Sequence, residues 1–355
     1  MKPVEAPTLD EIRAARERIA GSALRTPLVR LNVDASDYAT GGIGGDDTGH
    51  AASGDGPHAD TPTEVYLKLE NLQPIGSFKL RGAGNAMQLA GADKLARGVY
   101  TASAGNMAQG VAWNARRMGV PCTVVVPEHA PQTKLDAIER LGGRIVKVPF
   151  DEWWNVLIEH RYPGVDGMFI HPVSDPGVIA GNGTIGLEIL EDLPDVDAIL
   201  IPYGGGGLSG GIATAVRALK PDTKIFACEV ETAAPLKVSL EAGEPRTVHY
   251  TPSFVDGIGG KSVLAEMWPL VRSLIDASLV VSLAEVAAAL KLLLERNRIV
   301  AEGAGATPVA AALAGRADST GTHALSARAG ANKIVCVVSG GNIDIDKLMQ
   351  VIAGV

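Results

Sequence analysis

Strand and helix signals alternate along most of this chain, and the alternation predicts an α/β fold of doubly wound parallel sheets with helices on both faces. Three observations carry the prediction. Short apolar runs such as CTVVVP (122–127), AILIPY (198–203) and KIVCVV (333–338) read as strands buried on both sides. Helical stretches such as QTKLDAIERLG (132–142) and GLSGGIATAVRAL (207–219) lie between such runs. Glycine- or serine-rich turns follow the strands, where ligands bind in open parallel sheets.

The elements follow in order. Thr8 and Glu11 have capping-box spacing ahead of IRAARERIA, and Gly21 is expected to end that helix. Residues 35–63 are rich in Gly, Asp, Thr and Ala and carry almost nothing large and apolar. Such a segment cannot bury enough surface to offset its ordering entropy, so a mobile surface insertion is expected there. VYLKLE (65–70) reads as a strand, and a helix starts near Lys79. TASAGN (101–106) leads into another helix. RIVKVP (144–149) and KIFACE (224–229) are strands, and DEWWNVLIEHR (151–161) is a helix. SLVVSLAEVAAALKLLLERN (278–297) supplies a further strand and helix before KIVCVV closes the pattern. No internal repeat is visible.

A chain of 355 residues is long enough for two domains with a sizeable core. Aromatics make up only 4% of it, beside 42 glycines, which suits an Ala/Val/Leu-rich enzyme better than an aromatic-rich binding module. The net charge of −8, with no basic cluster to offset it, argues against a nucleic-acid partner. Cys122, Cys228 and Cys336 are far apart in apolar runs and read as reduced core thiols, not as metal ligands. The N-terminus MKPVEAPTLDEIR is no signal peptide, and no apolar run approaches a membrane span. A cytoplasmic location with no membrane partner is the expectation.

Five motifs could carry chemistry. In GSFKLRG (76–82), Lys79 sits in an apolar, glycine-bounded turn. Desolvation there lowers an amine's pKa and makes the neutral nucleophile accessible. An exposed lysine at a helix start is the plain alternative. TASAGN precedes a helix, whose N-terminal N–H groups attract a carboxylate, with Ser103 and Asn106 as added donors. An ordinary N-cap has equal claim on those residues. Gly204-Gly205-Gly206-Gly207-Leu208 follows a strand and opens a helix, so its backbone can approach a phosphate closely. Gly205, Gly207 and Gly210 also satisfy G-x-G-x-x-G, with Glu229 at the next strand end, so a nicotinamide dehydrogenase stays open. Ser339, in SGGN (339–342), ends a strand where a hydroxyl can meet a ring nitrogen. Glu302, in EGAGA (302–306), follows an apolar run and faces small residues.

Taken together, SFKLRGA (77–83), SAGNMAQG (103–110), GGGGL (204–208), EGAGA and SGGN resemble the fold-type II pyridoxal-phosphate (PLP) enzymes, tryptophan synthase β-like, and most closely the threonine/serine dehydratase branch. The resemblance runs over nearly the whole chain outside 35–63. It implies two doubly wound domains with the cofactor between them, a large one at 1–96 and 165–355 and a small one at 97–164. It implies that Lys79 bears the cofactor, Phe78 packs on the ring, and Asn106 bonds the ring hydroxyl. By the same resemblance Gly204, Gly205, Gly206, Gly207 and Leu208 bind the phosphate, Ser339 bonds the ring nitrogen, and Glu302 lies beside the cofactor. Ser103, Ala104, Gly105 and Asn106 would take the substrate carboxylate. The implied reaction is loss of water from L-threonine, L-serine or a related 3-hydroxy amino acid, with Lys79 as base. A homodimer or homotetramer is expected.

Several positions refine the resemblance. Leu80 stands where the cysteine- and cystathionine-forming relatives carry an acid. Ala104 stands where the racemases place a serine that acts as a second base, so elimination is preferred to a serine- or aspartate-racemase-like reaction. Met107 replaces the histidine common in threonine dehydratases, which leaves the substrate side chain open and admits a larger 3-hydroxy amino acid. Glu229 matches a cation ligand of some relatives, but Pro235 stands where its aspartate partner would be. A monovalent cation held by Glu229 and carbonyls therefore stays open, as does a non-catalytic PLP-binding protein.

Overall fold

The computed structural model describes residues 2–33, 63–317 and 332–354. The insertion expected at 35–63 lies outside the described residues, apart from Thr63. The strands are β1 (Leu28–Arg30), β2 (Glu64–Leu69), β3 (Val99–Ala102), β4 (Cys122–Pro127), β5 (Arg144–Val148), β6 (Met168–Phe169), β7 (Ala198–Pro202), β8 (Lys224–Val230), β9 (Ala277–Val281) and β10 (Lys333–Val338). The first half of the chain carries helices α1 (Leu9–Ile19), α2 (Lys79–Ala90), α3 (Ala92–Leu95), α4 (Asn106–Met118), α5 (Gln132–Arg140), α6 (Phe150–Glu159) and α7 (Pro176–Asp192). The second half carries α8 (Gly207–Leu219), α9 (Pro235–Ala242), α10 (Trp268–Leu274), α11 (Leu283–Leu292), α12 (Gly303–Ala317) and α13 (Ile345–Ala353).

Two sheets organise these elements. A six-stranded sheet has the order β1-β2-β10-β7-β8-β9, and a four-stranded sheet has the order β5-β4-β3-β6. Every neighbouring pair is parallel except β1 with β2. The antiparallel β1 departs from the expected parallel pattern. It is three residues long, too short to print a period on the sequence. The strand β6 lies beyond residue 164, the expected end of the small domain, yet it pairs with β3. The small sheet thus draws on the chain as far as Phe169.

The central strands are apolar at most positions because both faces are covered. Leu200, Cys228, Cys336 and Val338 join one core cluster. Their strand neighbours Ile201, Ala227, Val335 and Val337 join another on the opposite face. This is the period-2 alternation of a strand, with apolar residues demanded on both sides. All three cysteines are buried and none forms a disulfide. Among the described residues, no helix is long and apolar enough to cross a membrane.

Local signals start α1 and α7, and α1 ends slightly before the expected glycine. The Thr8–Glu11 capping box forms, but α1 stops at Ile19 with Ala20 as its C-cap, ahead of Gly21. Asp175 caps α7 by accepting from the N–H groups of Gly177 and Val178, and Pro176 fills the first position. The helices α2 and α7 pack backbone to backbone: a Cβ at Gly181 would lie 2.5 Å from the carbonyl oxygen of Arg81.

Buried charges lock the same junction. Arg81 Nε meets Glu70 at 2.7 Å, Arg81 Nη1 meets Glu188 at 2.7 Å, and Lys68 Nζ meets Glu188 at 2.6 Å. The four charges sum to zero, and all four side chains are buried. For Glu70, burial alone would raise the pKa, but Arg81 beside it holds the carboxyl below its usual range. The first turn of α2, which begins at Lys79, is therefore tied to β2 and α7 from inside the protein.

Candidate active site

Strand order decides which motifs meet. The carboxyl ends of β2, β10 and β7 lie side by side, because β10 inserts between the other two. Those ends deliver Lys79, Ser339 and Gly204, and the end of β3 in the other sheet delivers Ser103 to Asn106. A cavity of about 430 Å³ lies where the two sheets' turns face each other. It is lined by Phe78, Lys79, Ser103, Ala104, Gly105, Asn106, Gly204, Gly205, Gly206, Gly207, Leu208, Glu302 and Ser339.

Lys79 is held in a defined pose. Its Nζ donates to the carbonyl oxygen of Pro172 at 3.0 Å and lies 5.1 Å from the Phe78 ring centroid. Burial pushes the amine down to about 8, against the opposing pull of Glu302. The turn before it is stitched to the end of β10: Phe78 N–H donates to the Ser339 carbonyl at 3.0 Å, and Ser77 bridges Gly340.

Asn106, the first residue of α4, joins the two sides of the cavity. Its Nδ2 donates to Glu302 Oε1 at 2.8 Å, and its Oδ1 accepts from Asn342 Nδ2 at 2.7 Å. Asn342 Nδ2 also donates to the Ile75 carbonyl at 2.8 Å. Burial first, then the negative charge of Asp256, push Glu302 up to about 7, partly offset by the bond from Asn106. Ser103 Oγ accepts from Gly105 N–H at 3.1 Å, which shapes the turn before α4.

The glycine run is a backbone cradle. Gly206 has φ +96° and caps α8 without any side-chain hydrogen bond. The leading N–H groups of a helix have no acceptor within it, so here they are left to a ligand. A Cβ at Gly205 would come 2.6 Å from Val173 Cγ2, and one at Gly207 would come 2.7 Å from the Val173 carbonyl oxygen. Only glycine lets the loop close on that neighbour, and the N-terminus of α8 then favours an anion. PLP needs an amine that can be neutral, a cradle for its phosphate and a partner for its ring nitrogen. Lys79, the Gly204–Leu208 backbone and the Ser339 hydroxyl meet those needs, so the residues present fit the group.

Glu229 is not at the cavity. It is buried in β8, where its carboxylate accepts from the N–H groups of Leu236 and Lys237 at 2.9 and 2.7 Å and from Ser278 Oγ at 2.6 Å. It caps α9. No group of three or more His, Cys, Asp or Glu side chains suited to a metal occurs among the described residues.

Other residues at the site carry no sequence motif. His171 is buried, and its Nδ1 accepts from the N–H groups of Val173 and Ser174 at 3.1 and 2.7 Å. Burial, then the charges of His160 and Lys79, push His171 down to about 3, so its ring stays neutral. It clamps the turn that offers the Pro172 carbonyl to Lys79. From α6, Phe150 and Trp153 line the cavity with His129. Lys134 Nζ meets Asp256 Oδ2 at 2.6 Å, also at the cavity wall. Trp153 was visible only as part of an ordinary helix and Phe150 lay just ahead of it, whereas Asn342 stood inside the SGGN motif and could have been assigned.

Comparisons with known proteins agree with this geometry. A family model described as "Pyridoxal-phosphate dependent enzyme" matches residues 53–340. The L-threonine ammonia-lyase of Thermotoga maritima is 40% identical over 294 residues, covering 82% of this chain and 70% of that protein. Maize serine racemase has a similar structure, with TM-score 0.82 and 30% identity, covering 99% of this chain and 98% of that one. The processed threonine deaminase isoform 2 of Solanum lycopersicum gives TM-score 0.79 and 33% identity, covering 100% of this chain and 96% of that one. With its two α/β units, its lysine turn and its glycine cradle, the chain belongs to the fold-type II pyridoxal-phosphate enzymes, in the threonine/serine dehydratase family.

Proposed function

We propose that this chain is a threonine/serine-type ammonia-lyase: it removes water from a β-hydroxy amino acid, and hydrolysis of the resulting enamine returns that water and releases a 2-oxo acid and ammonia. The observation that carries the proposal is the pairing across the cavity of Lys79, an amine lowered to about 8, with Ala104, which has no proton to exchange. The cofactor, when bound, supplies an electron sink that acidifies the substrate's α C–H bond.

The chain's own residues then divide the work. Lys79 bears the cofactor and serves as base at the α-carbon. The N–H groups from Gly204 to Leu208 hold the phosphate, and Phe78 supports the ring. Ser339 offers the ring nitrogen a neutral hydroxyl, which favours prompt loss of the β-hydroxyl over return of the α-proton. Asn106, fixed through Glu302 and Asn342, keeps one N–H for the ring hydroxyl. The turn from Ser103 to Asn106, at the N-terminus of α4, takes the substrate carboxylate. The division into a small domain at 97–164 and a large one at 1–96 and 165–355 belongs to the same proposal, with the small sheet continuing to Phe169.

The likeness to serine racemase sets the test. L-serine and L-threonine are incubated with the holoenzyme while 2-oxo acid, ammonia and chirality are followed together. The expected products are 2-oxo acid and ammonia, with racemisation minor. If the D-isomer or epimer forms faster than 2-oxo acid, the dehydratase proposal fails and a racemase replaces it.

A further inference from the structure

Resting on that proposal, we infer that the preferred substrate carries a large apolar β-substituent, an aryl group above all, and that Trp153 and Phe150 select it. The cavity wall is divided by chemistry. The lysine turn, the glycine cradle, Ser339 and the 103–106 turn account for its polar side. The remaining wall, from α4, α6 and the smaller sheet's loops, presents Met107, His129, Pro131, Phe150 and Trp153 beside the Lys134–Asp256 ion pair.

Phe150 and Trp153 are three residues apart, so they share one face of α6. Their ring centroids are 5.6 Å apart, and the His129 ring centroid lies 5.9 Å from that of Phe150. Phe150 remains 49% exposed although it lines a cavity. A flat aromatic surface at a pocket is the kind that an aryl ligand covers, by ring packing and by removal of apolar area from water.

Charge excludes the main alternative. Among the described residues, the only lysines or arginines that line the cavity are Lys79 and Lys134. Lys79 is claimed by the cofactor, and Lys134 is tied to Asp256 at 2.6 Å. Among the described residues, a substrate with a second carboxylate would find no spare lysine or arginine at this wall. Serine, whose β-carbon carries nothing besides its hydroxyl, would leave the aromatic surface uncovered.

The experiment compares kcat/KM, by 2-oxo acid release, for threo-3-phenyl-L-serine, L-threonine, L-serine and threo-3-hydroxy-L-aspartate. It uses the holoenzyme and its Trp153→Leu and Phe150→Leu variants, with the absorbance of the lysine-bound cofactor as the check on folding. Phenylserine should exceed serine and threonine by about tenfold or more, the scale on which apolar pockets discriminate. Each variant should lower the phenylserine-to-serine ratio by about tenfold. If Trp153→Leu loses the cofactor, the half-exposed Phe150→Leu decides. Threonine, serine or hydroxyaspartate turning over as well as phenylserine overturns the substrate class and leaves the elimination intact. So does a ratio that neither variant moves. Absence of 2-oxo acid from all four substrates, with the cofactor absorbance present, overturns the elimination itself and this inference with it.

Discussion

Lys79 Nζ donates to the carbonyl of Pro172 at 3.0 Å, across 93 residues of chain. The acceptor is aimed by its neighbour: His171 Nδ1 accepts the N–H groups of Val173 and Ser174 and so sets the turn. His171→Phe keeps the ring's bulk but leaves two N–H groups without their acceptor, at about 1–3 kcal/mol each where they stay buried. Lys79 should lose its fixed pose. The expected result is a fall in kcat of about tenfold or more and weaker PLP affinity, measured by absorbance titration. Kinetics and affinity equal to wild type would refute the clamp.

Lys79→Ala should abolish turnover and the cofactor's imine absorbance together. Of the chain's lysines, only Lys79 and Lys134 line the cavity, and Lys134 is paired with Asp256. Borohydride reduction followed by peptide mapping should find the pyridoxyl group on Lys79 in the wild type. A label elsewhere would overturn the assignment.

The rate at which the apoenzyme captures PLP should depend on pH. Burial lowers Lys79 to about 8, so the neutral, reactive amine is scarce below that value and dominant above it. Capture should quicken about tenfold per pH unit as pH rises toward 8, then level off, because each unit changes the neutral fraction tenfold in that range. Stopped-flow absorbance gives the profile. A rate still climbing steeply above pH 9.5 would mean that the amine titrates like an exposed lysine.

Gly207→Ala should damage cofactor binding more than folding. The added Cβ would sit 2.7 Å from the Val173 carbonyl oxygen, in the turn that positions Lys79. Relief requires the cradle and that turn to separate, at about 1–3 kcal/mol. A rise in the Kd for PLP of about tenfold or more is expected, with near-native far-UV circular dichroism. An unchanged Kd would show that the loop has room to spare.

Arg81→Met should destabilise the fold by about 3–5 kcal/mol, because it leaves Glu70 and Glu188 buried with only Lys68 as cation. Urea unfolding of the apoenzyme measures this without interference from cofactor binding. A loss below about 1 kcal/mol would mean that the cluster adjusts by protonating a carboxyl.

The sequence by itself determined the local elements and marked the motifs that line the cavity. Apolar runs such as 198–202 and 333–338 had to be strands buried on both faces, and Thr8 with Glu11 had to start a helix, because these signals depend on neighbours within a few residues. The motifs at Lys79, Ser103, Gly204 and Ser339 were legible for the same reason. Only the tertiary structure decided that β10 sits between β2 and β7, which brings 79, 204 and 339 to one cavity. Only it revealed that Arg81 is neutralised by Glu70 and Glu188, that His171 aims the acceptor of Lys79, and that Glu229 caps α9 away from the cavity. Strand order and the partners of buried polar groups depend on contacts between distant segments. Local periodicity carries no record of them, so a buried arginine or a pocket tryptophan reads in sequence like any other helical residue.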